Sequence, residues 1–259
     1  MAKGNGLSDL LFVDGYDLSG DIGSVSELAS PSSVLDVTGI NATGHERLLG
    51  NFDGMLNFAP WFNDAASQEH AVLKVFSADR IVSYFHGSAI GNMSASIVAK
   101  QFTYGLNRTN DGGLAGTVSC QGNGSGLEFG GPGGTLVAKD GQLTAGKRTD
   151  TGATNGVSLD SGIVGGTALG ISAVLQVFSF TGTDATASIQ SSSDDGGGDA
   201  YANITGGVFT QITTAPVAQR IVTSLTQAVE RYLRVATVTT GGFSSLVFAV
   251  SHSRYPYQG

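Results

Sequence analysis

Residues 93–121, MSASIVAKQFTYGLNRTNDGGLAGTVSCQ, decide the fold class. The runs 93–106 and 114–121 are rich in β-branched, aromatic and small residues. The seven residues between them, 107–113, carry Asn110-Asp111-Gly112-Gly113. Asn and Gly tolerate positive φ, the condition for a tight hairpin turn, so this stretch predicts two antiparallel strands.

Upstream, RIVSYFHG (80–87) predicts another strand. In FDGMLNFAPWF (52–62) the pattern alternates: Leu56, Phe58 and Phe62 share one face and Met55, Asn57 and Trp61 the other, with Pro60 near the end. Asn63 or Asp64 then caps a helix over 65–76, where Ala65, Val72, Val75 and Phe76 recur at helical spacing and Glu69 and His70 ride on its side. Residues 9–13 make a first short strand. The polar, turn-rich sequence after it, with a short apolar run at 34–37, reads as an extended arm. Residues 147–166 hold few large apolar side chains and predict a linker. Beyond it, runs at 168–180, 184–192, 208–214, 219–225, 230–240 and 244–253 give short strands at the spacing of a β-sandwich.

The composition agrees. Thirty-nine glycines against five prolines suit many short strands joined by turns, and 259 residues suffice for two domains with a core each. Only 13% of residues are charged while 41% are hydrophobic, which leaves little charge to keep copies apart and points to surface covered by partners. The net charge of −8 sits mainly in the first 150 residues, and no cluster of Lys and Arg is present, which argues against direct nucleic-acid binding.

Catalytic and metal chemistry find no motif. His45-Glu46 lacks the second imidazole one turn later that a helical zinc site needs, and Glu69-His70 offers no ligand spacing. The glycine-rich run 122–146 lacks the Gly-Lys-Ser/Thr end of a phosphate loop. Asp194, Asp195 and Asp199 lack the order and closing Glu of a calcium loop. No serine sits in a nucleophile elbow, and the lone Cys120 lies in a strand-like run without a basic activator. No enzyme activity, metal or cofactor is expected. No 18-residue apolar run and no signal-peptide start appear, so a cytosolic site of synthesis and no membrane partner are expected.

The block HERLLGNFDGMLNFAPWFNDAASQEHAVLKVF (45–76), followed by residues 79–130 with the Asp111-Gly112 turn, resembles the major tail proteins of long, non-contractile-tailed bacteriophages, most of all those infecting actinobacteria. The resemblance covers about the first 146 residues; the later strands look like β-sandwich modules appended to phage tail and capsid proteins. It implies a mainly β chain: a tail-tube-like β-sandwich or barrel domain with one helix over 1–146, the linker 147–166, and an outer immunoglobulin-like β-sandwich domain over 167–259. It further implies a structural virion protein, made in the host cytoplasm, whose rings, taken to be hexameric, stack through an N-terminal arm (1–32) and a stacking loop (38–54). Its partners would be copies of itself, the tape measure protein, transiting DNA without specific binding, and the tail terminator and distal tail proteins. A capsid-decorating or minor tail protein is the alternative.

Within that reading the acids Asp53, Asp64, Glu69, Asp79, Asp111 and Glu128 are candidates to face the lumen, where carboxylates repel phosphate at close range. Trp61, Phe58, Phe62, His45 and Glu46 are candidates for packing between subunits. Sugar binding by the back domain would rest on Tyr201, Phe209, Tyr232, Phe243, Tyr255 and Tyr257.

Overall fold

The computed structural model describes residues 6–76, 78–130, 140–163, 166 and 169–254. The front half holds β1 (Leu10–Val13), β2 (Tyr16–Asp17), β3 (Ile22–Ala29), β4 (Ser32–Asp36), β5 (Arg47–Phe52), β6 (Met55–Pro60), α1 (Glu69–Leu73), β7 (Arg80–Phe85), β8 (Ser94–Arg108), β9 (Leu114–Gly122) and β10 (Glu128–Gly130). The back half holds β11 (Gly141–Gln142), β12 (Arg148–Asp150), β13 (Thr154–Asn155), β14 (Leu159–Asp160), β15 (Ile171–Gly182), β16 (Thr186–Ser192), β17 (Ala202–Val208), β18 (Val217–Val222), β19 (Tyr232–Val238) and β20 (Phe243–Arg254). The chain is mainly β, with antiparallel sheets and one short helix among the described residues.

The front sheet runs β2-β1-β7-β8-β9-β6-β3, with β10 joined to the start of β8. The β8–β9 hairpin is as the sequence dictates, Arg108 pairing with Leu114 across the turn and Gly112 taking φ +93°. Strand β6 alternates as expected, Leu56 and Phe58 pointing inward beside Val118 and Cys120. Leu11, Val13, Leu18, Val82, Ile97 and Leu127 complete this core, and α1 covers it with Val72 and Leu73.

Two expectations for this half fail. From Leu10 onward, residues 1–32 are not an arm: β1 and β3 are strands of the sheet, and Leu11, Phe12, Val13 and Leu18 are buried. A few apolar residues suffice because they enter a core built by the rest of the chain. The helix is also shorter than 65–76. Ser67 takes φ +64°, which a helix cannot accommodate, so α1 starts after Gln68 and neither Asn63 nor Asp64 caps it. Val75 and Phe76 lie beyond its end, exposed.

The back half is a two-sheet sandwich. One sheet runs β11-β20-β15-β18 with β12 on β20; the other runs β13-β19-β16-β17 with β14 on β19. Between them lie Ile171, Leu175, Val177, Ile189, Leu233, Val235, Leu246, Phe248 and Val250. The expected linker over 147–166 is largely strand. β12, β13 and β14 add to both sheets, and their few apolar residues suffice because they sit at the margins, tied by polar groups. Arg148, for example, reaches Asp150 at 2.8 Å and the Val235 carbonyl at 2.8 Å. The front sheet's last strand ends at Gly130 and the sandwich begins at Gly141.

The two halves form three layers, because Ile171–Val177 is buried on both faces. Its odd-numbered residues enter the sandwich core, while Gln176 and Ser172 face the front half, where the Gln176 amide nitrogen donates to the Ile81 carbonyl and Ser83 Oγ, both at 3.1 Å. Ser96 Oγ bonds Ser251 Oγ at 3.1 Å beside these contacts. An apolar patch completes the junction: the Phe12 ring stands edge-on to Phe85 and Phe178, with centroids 5.2 and 4.7 Å away. Aromatic pairs in this geometry contribute about 0.5–1.5 kcal/mol beyond their buried area.

Candidate assembly surface

Among the described residues, strands β4 and β5 pair only with each other, forming a two-stranded ribbon that continues from β3 and leads into β6. In it Val34 faces Leu49 and Leu35 faces Leu48 across the strands, and neighbouring residues of a strand point to opposite faces, so both faces are apolar. All four side chains are exposed, Leu49 at 73%, as are Val37 and Ile40 near the tip. An isolated ribbon of two strands is marginal in water. Here polar bonds near the tip hold it: Asp36 accepts from the Thr38 amide at 3.0 Å and lies 3.1 Å from His45 Nδ1, while Thr38 Oγ1 accepts the Glu46 amide at 2.9 Å. The Thr38 hydrogen bonds hold the Asp36 carboxyl below the usual range, with His45 adding to the effect. His45 and Glu46, candidates for subunit packing, therefore lie exposed at this tip, and the expected stacking loop 38–54 comprises the tip, β5 and the return to β6.

The aromatic candidates separate. Phe58 is 1% exposed within the front core, so it is unavailable to a neighbour. Phe62 is half-buried and packs its ring against His70 at 5.1 Å. Trp61 is 55% exposed on the opposite face of the sheet, bridged through its backbone to Ala115. Phe102, at a bulge in β8, is 60% exposed.

The acidic candidates separate too. Asp53, Asp64, Asp79 and Asp111 are exposed. Asp79 is held below the usual carboxyl range by Lys100, at 2.6 Å, and by the Asn123 amide. Asp111 is lowered by Thr109 Oγ1 and the Gly113 amide, so it shapes the hairpin turn. Glu69 does not belong to an open surface. It is fully buried beneath β8, burial raises its pKa, and its amide donates to Asp21 at 3.2 Å. Glu128 is committed as well, since Arg220 of the back half grips it with Nε 3.1 Å from both carboxylate oxygens.

The described candidate aromatics of the back half make no open platform. Phe209 and Phe243 are buried, the Arg234 guanidinium lies 4.0 Å over the Tyr201 ring, Arg231 lies 5.1 Å from the Tyr232 ring centroid, and Tyr255 and Tyr257 fall outside the described residues. Asp194 accepts the amides of Gly197 and Asp199 at 3.0 and 3.1 Å, tying its own turn. Cys120 is buried, which pushes its thiol up to about 12. Among the described residues no group of three or more His, Cys, Asp or Glu could hold a metal, and no helix is long and apolar enough to cross a membrane.

Sequence reasoning missed the ribbon's apolar faces, although Val34, Leu35, Leu48 and Leu49 were legible as two short runs. It also missed the polar junction, because Ser83, Ser96, Gln176 and Ser251 carry no spacing signal.

No family model and no curated protein matches the chain. Among solved structures, it is similar to a chain of the virion of a native gene transfer agent particle (15% identity, 49% of this chain and 98% of that one, TM-score 0.39). It is also similar to the SPP1 Dit protein, described as a hub adsorption apparatus in phages infecting Gram-positive hosts (10% identity, 94% and 98% covered, TM-score 0.35). A third is a chain of the phage P2 baseplate in its activated conformation with calcium (11% identity, 96% and 99% covered, TM-score 0.34). These TM-scores are too low to carry an argument about function.

Proposed function

We propose that this chain is a structural protein of a phage virion, which assembles with copies of itself into rings that stack as the tail tube through which DNA passes. The β4–β5 ribbon carries this reading: Val34, Leu35, Leu48 and Leu49 on its two faces are exposed among the described residues and gain cover when another subunit packs there. The front sheet, with its buried core and single short helix, is then the wall, and the back sandwich the layer fixed to it. The tape measure protein, the tail terminator and the distal tail proteins would be its neighbours in the tail. The exposed acids Asp53, Asp64, Asp79 and Asp111 remain the candidates to face the lumen. Replacing Asp53 and Asp64 with Lys should leave assembly intact and slow genome ejection; unchanged ejection would contradict their place in the lumen.

Sedimentation velocity across a range of protein concentrations, with the unmodified protein and with Leu48→Asp/Leu49→Asp, tests the reading. Concentration-dependent assembly of the first and its loss in the second support it. A compact monomer or trimer at every concentration would contradict it and favour a capsid-decorating or minor tail protein.

A further inference from the structure

Resting on that reading, we infer that the β4–β5 ribbon of one copy docks head-to-tail on the open half of the front sheet's outer face in a second copy, between Trp61 and Phe102. The face starts beneath the back sandwich, where Ser96 of β8 bonds Ser251 of β20. It then emerges from that cover as β8 continues through Lys100 to the bulge at Phe102. A β-sheet therefore already covers half of this face within the chain, and the open half continues that interface.

Beyond Lys100 and Phe102 the open half carries mostly short side chains. Thr103 pairs with Ser119, Ser119 lies opposite Asn57, Gly105 pairs with Thr117, and Asn107 pairs with Ala115 beside Trp61. A Cβ at Gly105 would meet no described atom within 4 Å. Small residues on one sheet accept large ones from a facing sheet, and the ribbon supplies the cross-strand pair Val34 and Leu49.

Growth through the sheet edges is disfavoured. β3, at one edge, carries two bulges and Glu27, features that blunt strand pairing. β2, at the other, is two residues long, and a Cβ on the adjoining Gly15 would lie 2.5 Å from the Val177 carbonyl oxygen, so the back sandwich closes that side. Faces are left for assembly. Ribbon and open face are different surfaces, so the contact is heterologous and each copy can both give and receive.

Two cysteine variants, Leu49→Cys and Thr117→Cys, test the pairing in a protein whose native Cys120 is buried. Under mild oxidation, covalent dimers should form when the two are mixed, and neither variant should cross-link alone. Dimers from either variant alone, or no dimers in a mixture that still sediments as an assembly, would overturn this docking and leave self-assembly standing. Loss of assembly in the unmodified protein would overturn both. Trp61 is the single Trp, so its fluorescence gives a second readout without substitution. The emission should shift to the blue as unmodified protein assembles, and an unchanged spectrum would overturn the docking.

Discussion

Gln176 Oε1 accepts the amide hydrogen of Gly15 at 2.7 Å, joining residues 161 apart in sequence and the back sandwich to the front sheet. The same side chain donates to the Ile81 carbonyl and Ser83 Oγ, so one buried amide satisfies groups from β7 and from the turn between β1 and β2. Its neighbours include the Phe12–Phe85–Phe178 cluster. The junction is thus part fitted core and part satisfied polar layer, the arrangement of one structural unit.

Gln176→Leu leaves the Gly15 amide without its partner in a buried layer, while the Ile81 carbonyl keeps the Asp14 amide at 3.0 Å. Such an unpaired group costs about 1–3 kcal/mol. Chemical denaturation should show a loss of that size, with hydrogen exchange rising at the Gly15 amide before the sandwich core opens. Unchanged stability would mean that water replaces the side chain.

Phe58 and Trp61 lie three residues apart in sequence with opposite exposure. Phe58→Ala opens a cavity in the front core and should cost about 3–5 kcal/mol. Trp61→Ala should change subunit stability by about 1 kcal/mol or less, as for an exposed residue, while weakening assembly. Thermal melts of dilute protein, set beside sedimentation of concentrated protein, separate the two effects.

Asp184 holds the β19–β20 turn. It accepts the Thr240 amide at 2.8 Å, Thr240 Oγ1 at 2.7 Å and the Gly241 amide at 2.8 Å, which lower its pKa from 3.8 to about 2. A carboxyl depressed in the folded state contributes stability above its unfolded pKa and loses that contribution as pH falls through the folded value. Asp184→Asn should therefore destabilise the protein at pH 7, and the gap to the unmodified protein should close between about pH 4 and about pH 2. Denaturation at several pH values measures the gap; a constant difference would contradict this assignment.

What was legible in the sequence follows from which faces meet solvent. β6 and the β8–β9 hairpin were readable because one face packs and the other is open or polar, so alternation survives. In β15 both faces are buried and periodicity alone carries little, so Gln176 and Ser172 look like ordinary polar residues. The 147–166 segment looked like a linker because marginal strands depend on Arg148, Asp150 and Asp160 more than on apolar side chains. Residues 10–29 looked like an arm because their few apolar groups meet partners far along the chain, Leu11 pairing with Tyr84 and Val25 with Phe58. Of the candidate surface, the alternation put Trp61 on the face opposite Leu56 and Phe58, as the structure has it, whereas the burial of Glu69 and the capture of Glu128 by Arg220 depend on tertiary contacts.

The measurement that tests the central claim most directly is negative-stain electron microscopy of the purified chain across concentration. Rings or striated hollow tubes formed by this chain alone are the expected result, and their symmetry would give the subunit number. Isolated particles the size of one subunit, at concentrations where the ribbon's apolar faces should be covered, would contradict it.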